Sequence, residues 1–137
     1  MTDFILYNEF KGIKAEKSIN AIEIPDIILS NINKKITLRN YQETTIKRFI
    51  DYFENKNDYQ SKIVNDDLYK SNKNHILFNM ATGSGKTVIM ACLILYLYEK
   101  GYRNFLFLSH LNSINTKTEE NFFDKECNKY LFRGLTS

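Results

Sequence analysis

The feature that most constrains this chain is a loop with two glycines set between two apolar runs, residues 75–100. Ile76, Leu77 and Phe78 are consecutive apolar residues, the pattern of a strand buried on both faces. Residues 88–98 are apolar without interruption. That run is longer than most strands and far short of the roughly 20 residues that cross a bilayer, so it reads as a buried helix. The loop between them is Met80-Ala81-Thr82-Gly83-Ser84-Gly85-Lys86-Thr87. Gly83 and Gly85 let the backbone turn its amides around an anion, and the following helix adds its positive end at the same point. Lys86 would reach the β- and γ-phosphates of a nucleotide, and the Thr87 hydroxyl would hold Mg²⁺. The candidate phosphate contacts are therefore Thr82, Gly83, Ser84, Gly85, Lys86 and Thr87, with Thr87 also the candidate metal ligand. The plainer alternative is a Gly-Ser turn between two core elements with a solvated lysine. Loop chemistry and flanking periodicity agree with each other, which favours the phosphate reading. One position departs from the general G-x-x-x-x-G-K-[ST] pattern: Met80 stands where the first glycine belongs.

A chain of 137 residues suffices for one small domain, and 43% hydrophobic residues exclude a disordered tail. The net charge of +3 rests on 15 Lys against 4 Arg, scattered rather than clustered, so charge alone does not argue for nucleic acid. Cys92 falls in the apolar helix and Cys127 near the C-terminus. Their spacing suggests neither a zinc site nor a disulfide, which fits a reduced, cytoplasmic chain. His75 and His110 stand alone and read as structural. No signal-peptide pattern or membrane span is visible.

Taken in order, residues 3–7 are a candidate edge strand, 11–18 are irregular and 21–24 are a second short strand. Pro25 and the apolar set Ile27, Ile28, Leu29 and Ile32 predict a short helix over 26–32. Ile46, Phe49, Ile50 and Phe53 recur at i, i+3, i+4 and i+7, which predicts an amphipathic helix over 40–54. Residues 55–74 are polar and read as a mobile connection with a weak helical turn at 66–69. Gly101 is placed to end the apolar helix. Residues 104–109 predict a second buried strand, and 112–124 a polar helix. Strand, helix, strand, helix argues for a parallel α/β unit with a right-handed crossover.

The run Ala81-Thr82-Gly83-Ser84-Gly85-Lys86-Thr87 resembles motif I of superfamily-two helicases and translocases, where the leading glycine is commonly absent. Leu38-Arg39-Asn40-Tyr41-Gln42, with Gln42 standing 44 residues before Lys86, is similar to the adenine-reading Q-motif of DEAD-box relatives. A primary amide can donate to and accept from the edge of adenine at once, so the resemblance makes Gln42 the base-recognition residue. Residues 105–122 resemble motif Ia and its sequel, which implies sugar–phosphate contacts from Ser109, His110, Asn112 and Ser113. N-capping is an equal alternative for those residues. From about Ile24 to Phe132 the chain resembles the N-terminal part of the helicase subunit of type III restriction enzymes. The resemblance implies an incomplete RecA-like phosphate-loop NTPase lobe over 37–137, preceded by an extension over 1–36. It implies ATP and Mg²⁺ as cofactors. Implied partners are DNA and a modification methyltransferase subunit or a separately encoded C-terminal chain.

Members of that family also carry a strand ending in Asp-Glu, for Mg²⁺ and the attacking water. No apolar run followed by Asp-Glu follows the loop: Asp66-Asp67 precedes it, and Glu119-Glu120 falls inside a predicted helix. In RecA-like folds the motif I and motif Ia strands are not neighbours, so these residues alone would leave strand edges open. The expectation is a fragment that binds nucleotide weakly and does not turn it over. Two rivals remain. One is a non-catalytic module completed by a second chain. The other is a small phosphotransferase, disfavoured by Met80 and by the absence of an Arg-rich lid.

Overall fold

A computed structural model of the chain describes residues 18–56, 75–109 and 112–133. Four helices follow in order: α1, Asp26–Asn31; α2, Asn40–Glu54; α3, Lys86–Glu99; and α4, Asn112–Phe123. All four fall where the sequence predicts helices. The readings for 3–7, 11–17, the polar connection 57–74 and His110 lie outside the described residues. The chain divides into two compact units. One holds Met1–Glu23 and Thr44–Ser84, the other Ile24–Glu43 and Gly85–Ser137. The division interrupts α2 after its first turn and falls between Ser84 and Gly85.

In the first unit, α2 buries Ile46, Ile50 and Tyr52. Phe49 stacks on Phe53 at 5.9 Å and meets Phe78 at 6.1 Å, so the apolar residue just before the loop is anchored by an aromatic cluster.

In the second unit, α3 is apolar around its whole circumference. It buries Ile89, Ala91, Cys92, Leu93, Leu95 and Tyr96, the outcome expected of a helix with no polar face. Helix α1 packs against it. Pro25 is the residue before that helix rather than its first, and its carbonyl accepts the amides of Ile28 and Leu29. Ile28, fully buried, contributes about 1.5–3 kcal/mol of burial free energy. Helix α3 ends as its glycine predicts. Gly101 takes φ 99°, its amide donates to Tyr98 O and the Tyr102 amide to Leu97 O, the paired bonds of a Schellman motif. Arg103 adds bonds from Nη1 to Tyr98 O at 2.6 Å and Tyr102 O at 3.0 Å, and stacks over the Tyr98 ring. A Cβ at Gly101 would meet nothing within 4 Å, so Gly101→Ala should cost only the left-handed backbone energy. That is about 1–2 kcal/mol, read as a lower midpoint in urea with an unchanged slope.

The segment 130–133 does more than its place in the tail suggests. Ile32 and Phe132 form an antiparallel bridge. The Asn33 amide donates to Leu131 O, Asn33 Nδ2 to Tyr130 O, and the Arg133 amide to Asn31 O. The Leu131 amide donates to Asn121 O, and Phe122 meets Phe132 edge-on at 5.3 Å. This clasp ties α4 to the end of α1, so residues about 100 positions apart in sequence share one small core.

Three predicted strands are not formed among the described residues. Residues 21–24 follow a helical turn at 18–20 and continue without strand pairing. Residues 76–78 and 104–109 take no strand assignment. Leu77 is 75% exposed, and Leu106 and Leu108 are 84% and 80% exposed, so the predicted two-sided burial is not realised. An apolar run makes a segment fit for a sheet, but only a neighbour can take its N–H and C=O groups. No such neighbour stands beside these segments among the described residues, and the right-handed crossover is accordingly not formed there.

Cys92 and Cys127 are free. Burial pushes the Cys92 thiol up to about 12. Burial costs nothing while the thiol is neutral, and stability falls as pH rises from the ordinary thiol range through about 12, where the unfolded chain ionises first. Thiolate is the reactive form. Iodoacetamide at pH 8 should therefore modify Cys127 in the native chain and leave Cys92 intact, with equal labelling of both in denaturant, as read by peptide mass spectrometry.

Candidate nucleotide-binding site

The loop's first half belongs to the first unit. The Ser84 amide donates to Ala81 O at 3.3 Å, closing a four-residue turn with Gly83 third. Gly83 takes φ 77°, the conformation that a type II turn requires at that place. Thr82 and Gly83 are exposed and Ser84 half-buried. The Ser84 amide thus serves the turn, where the sequence predicts it facing an anion.

The second half belongs to the second unit. Gly85 precedes α3 at φ 79°, ψ 34°, and its carbonyl accepts the amides of Val88 and Ile89. The helix therefore starts at once after a left-handed residue. No side chain caps that start, and no acidic residue stands in the first turn. The first helical residue is instead Lys86, a cation at the positive end of a helix, where a charge of that sign is unfavourable. Lys86 is exposed and Thr87 half-buried beside it. The arrangement breaks two local rules of helix starts at one point, and a bound anion satisfies both.

Among the described residues, Gln42 is the one polar residue with a buried side chain, at 5% exposure. Its Oε1 accepts the Arg39 amide at 2.9 Å, while the Gln42 and Glu43 amides donate to Arg39 O. This is the returning half of a capping box, with Gln at the third helical position. The amide nitrogen faces the loop: a Cβ built on Gly85 would collide with Gln42 Nε2 and lie 3.7 Å from its Cδ. Glycine is required at 85 for both φ and space. Gln42, Gly85, Lys86 and Thr87 all belong to this second unit. Arg39 was not among the residues expected at the site. It holds Gln42 through its backbone and bonds Tyr41 Oη through Nη1 at 3.1 Å. The signal for that cap was the three-residue spacing from Arg39 to Gln42.

Of the residues expected to touch nucleic acid, Asn112 and Ser113 are exposed on the first turn of α4 and Ser109 is half-buried before it. The Asn112 carbonyl accepts from Thr116 Oγ1. No group of three or more His, Cys, Asp or Glu able to hold a metal occurs among the described residues, and no described helix is long and apolar enough to cross a membrane.

A glycine-framed helix start with a lysine at its positive end defines a candidate anion-binding site. Comparison with known proteins gives the class. The model for the family "Type III restriction enzyme, res subunit" matches residues 35–134. The chain is 41% identical over 109 residues to the probable type III restriction-modification enzyme HindVIP Res subunit of Haemophilus influenzae, covering 80% of this chain and 20% of that protein. No solved structure matches the chain. The chain belongs to the type III restriction enzyme Res-subunit family, and it spans about a fifth of the length of the curated relative it matches.

Proposed function

We propose that this chain is the ATP-binding N-terminal portion of an ATP-dependent DNA translocase of the type III restriction kind. The observation that carries the reading is the start of α3: a helix end with no side-chain cap and no acidic residue in its first turn, opening on Lys86 behind a left-handed glycine. An anionic ligand turns that local cost into a gain. In this reading Lys86 binds the β- and γ-phosphates, the helix amides hold phosphate oxygens, and the Thr87 hydroxyl holds Mg²⁺. The metal supplies charge neutralisation on the phosphates when bound. Thr82, Gly83 and Ser84 are the further proposed phosphate contacts. Segments 76–78 and 104–109, which take no strand assignment here, become strands of a RecA-like α/β lobe when neighbouring strands are supplied.

Gln42 is the proposed adenine reader. A carbonyl oxygen has two lone pairs and an amide nitrogen two protons, so Oε1 can keep the Arg39 amide and still accept from adenine N6 while Nε2 donates to N7. Ser109, His110, Asn112 and Ser113 are proposed to contact the DNA backbone. A modification methyltransferase subunit is the proposed partner of the whole system. The free thiols fit a reducing cytoplasm. These 137 residues hold no strand ending in Asp-Glu, so binding without turnover is expected of them.

Binding of fluorescent ATP and GTP analogues, with and without Mg²⁺, tests the reading. Wild type should prefer adenine, and Gln42→Glu should reduce that preference about tenfold. The carboxylate keeps the acceptor for Arg39 but loses the donor, a difference of roughly one hydrogen bond. An unchanged preference removes the base-reading role. A second reading, a non-catalytic module completed by further polypeptide, is favoured by the exposure of Leu106 and Leu108.

A further inference from the structure

We infer that residues 130–133 are a strap that carries α4, so that α4 and the strap open from and close on the α1–α3 pair as one piece, latched by Asn33. Helix α4 buries none of its residues. Among the described residues, each of its hydrogen bonds and ring contacts with another segment goes to residues 124–133. The Leu131 amide donates to Asn121 O, one of the last carbonyls of the helix, and Phe132 meets Phe122 edge-on. A polar helix of 12 residues is marginal in water without such support. Helices α1 and α3, by contrast, pack on each other, and each buries apolar residues of its own.

The end of α1 holds the other side of the strap. Asn33 uses all its polar groups there. Two fix the residue in its own turn: its carbonyl accepts the Ile36 amide at 2.8 Å, and its Oδ1 accepts the Lys35 amide at 3.0 Å. Two hold the strap: its amide donates to Leu131 O and its Nδ2 to Tyr130 O, both at 2.8 Å. The Arg133 amide adds a bond to Asn31 O at 2.7 Å. Leu131 is therefore the joint, with its amide on α4 and its carbonyl on Asn33. Ile32, Leu131 and Phe132 are buried where the strap crosses. Breaking the bonds to Asn33 frees the strap with its bonds to α4 intact, so the two move together. The exposed first turn of α4, with Asn112 and Ser113, rides on that arm. A ligand that binds this turn in its helical form holds the strap shut, and the opening equilibrium lowers its apparent affinity. The inference rests on the clasp and not on which ligand α4 takes.

Hydrogen exchange of single amides, followed by NMR on the full chain in sub-denaturing urea, tests it. In wild type, the amides of Asn33, Leu131 and Arg133 should share one opening free energy with the helical amides of α4, residues 116–123, and that value should lie below the value for α3. Asn33→Asp keeps the acceptor for Lys35, loses the donor to Tyr130 O and sets a carboxylate against that carbonyl. Exchange of the strap and α4 amides should quicken together by about tenfold, the scale of one lost hydrogen bond, while the α3 amides keep their rates. Asn31→Ala removes only the Nδ2 bond to Ile27 O within α1 and should leave the strap and α4 rates unchanged. The wild-type comparison is decisive even where Asn33→Asp does not fold: different opening free energies for strap and α4 would overturn the inference. Strap amides that quicken alone in Asn33→Asp would overturn it too, as would no change in either. Equal quickening in α3 would make Asn33 a support of the whole fold, and no latch.

Discussion

Lys86→Ala should lower affinity for an ATP analogue with Mg²⁺ by about 100-fold, roughly 3 kcal/mol, the scale of a lost charge-assisted contact to phosphate. The same substitution should leave the ligand-free chain as stable as wild type or raise its stability by about 0.3–1 kcal/mol, because it removes a cation from the positive end of α3 and places the best helix former there. The opposed signs are the diagnostic. A lysine kept only for solubility would change neither quantity, and a lysine that held the fold would lower both. Isothermal titration and urea unfolding on the same two proteins give the two numbers. Equal nucleotide affinity in both would remove the phosphate reading of the loop.

The second large effect concerns Gly85. Any other residue there takes φ 79° at a cost of about 1–2 kcal/mol and also drives its Cβ into Gln42 Nε2. Gln42 cannot simply swing aside, since it is buried and its Oε1 is tied to the Arg39 amide. Gly85→Ala should therefore cost about 2–4 kcal/mol, with the excess over the backbone term coming from the broken cap. Gly83 supplies the control. It has nearly the same φ, 77°, but nothing within 4 Å of its Cβ position, so Gly83→Ala should cost only the backbone term. In a Gln42→Ala background the collision is gone, and Gly85→Ala should then cost what Gly83→Ala does. The double-mutant cycle should show a coupling of at least about 1 kcal/mol. Additive effects would mean that the loop shifts to accept a methyl group and that Gln42 does not brace it.

The Gly85 cycle and the adenine-preference measurement on Gln42→Glu separate two roles that meet in one side chain. Gln42 was legible as a candidate base reader only beside the loop, through the spacing Leu38-Arg39-Asn40-Tyr41-Gln42. Its part in closing the start of α2 and in leaving no room at Gly85 needed coordinates, because both depend on where two segments 43 residues apart come to rest. The capping spacing was present in the sequence, but Arg39 is a poor cap by side chain and contributes only backbone. Propensity does not flag it.

Local chemistry determined the helices. The i, i+3, i+4, i+7 spacing of Ile46, Phe49, Ile50 and Phe53 set α2, and the unbroken apolar run with Gly101 behind it set α3 and its end. Periods of 3.6 residues and the positive φ that glycine allows are properties of a few neighbouring residues, so the sequence carries them in full. Strands are different. Residues 76–78 and 104–109 have the composition of buried strands, yet they form no strand among the described residues, because pairing belongs to two segments and not to one. Only the tertiary structure decided that residues 130–133, unremarkable as a tail, would pair with residues 30–33 and close the core around α1.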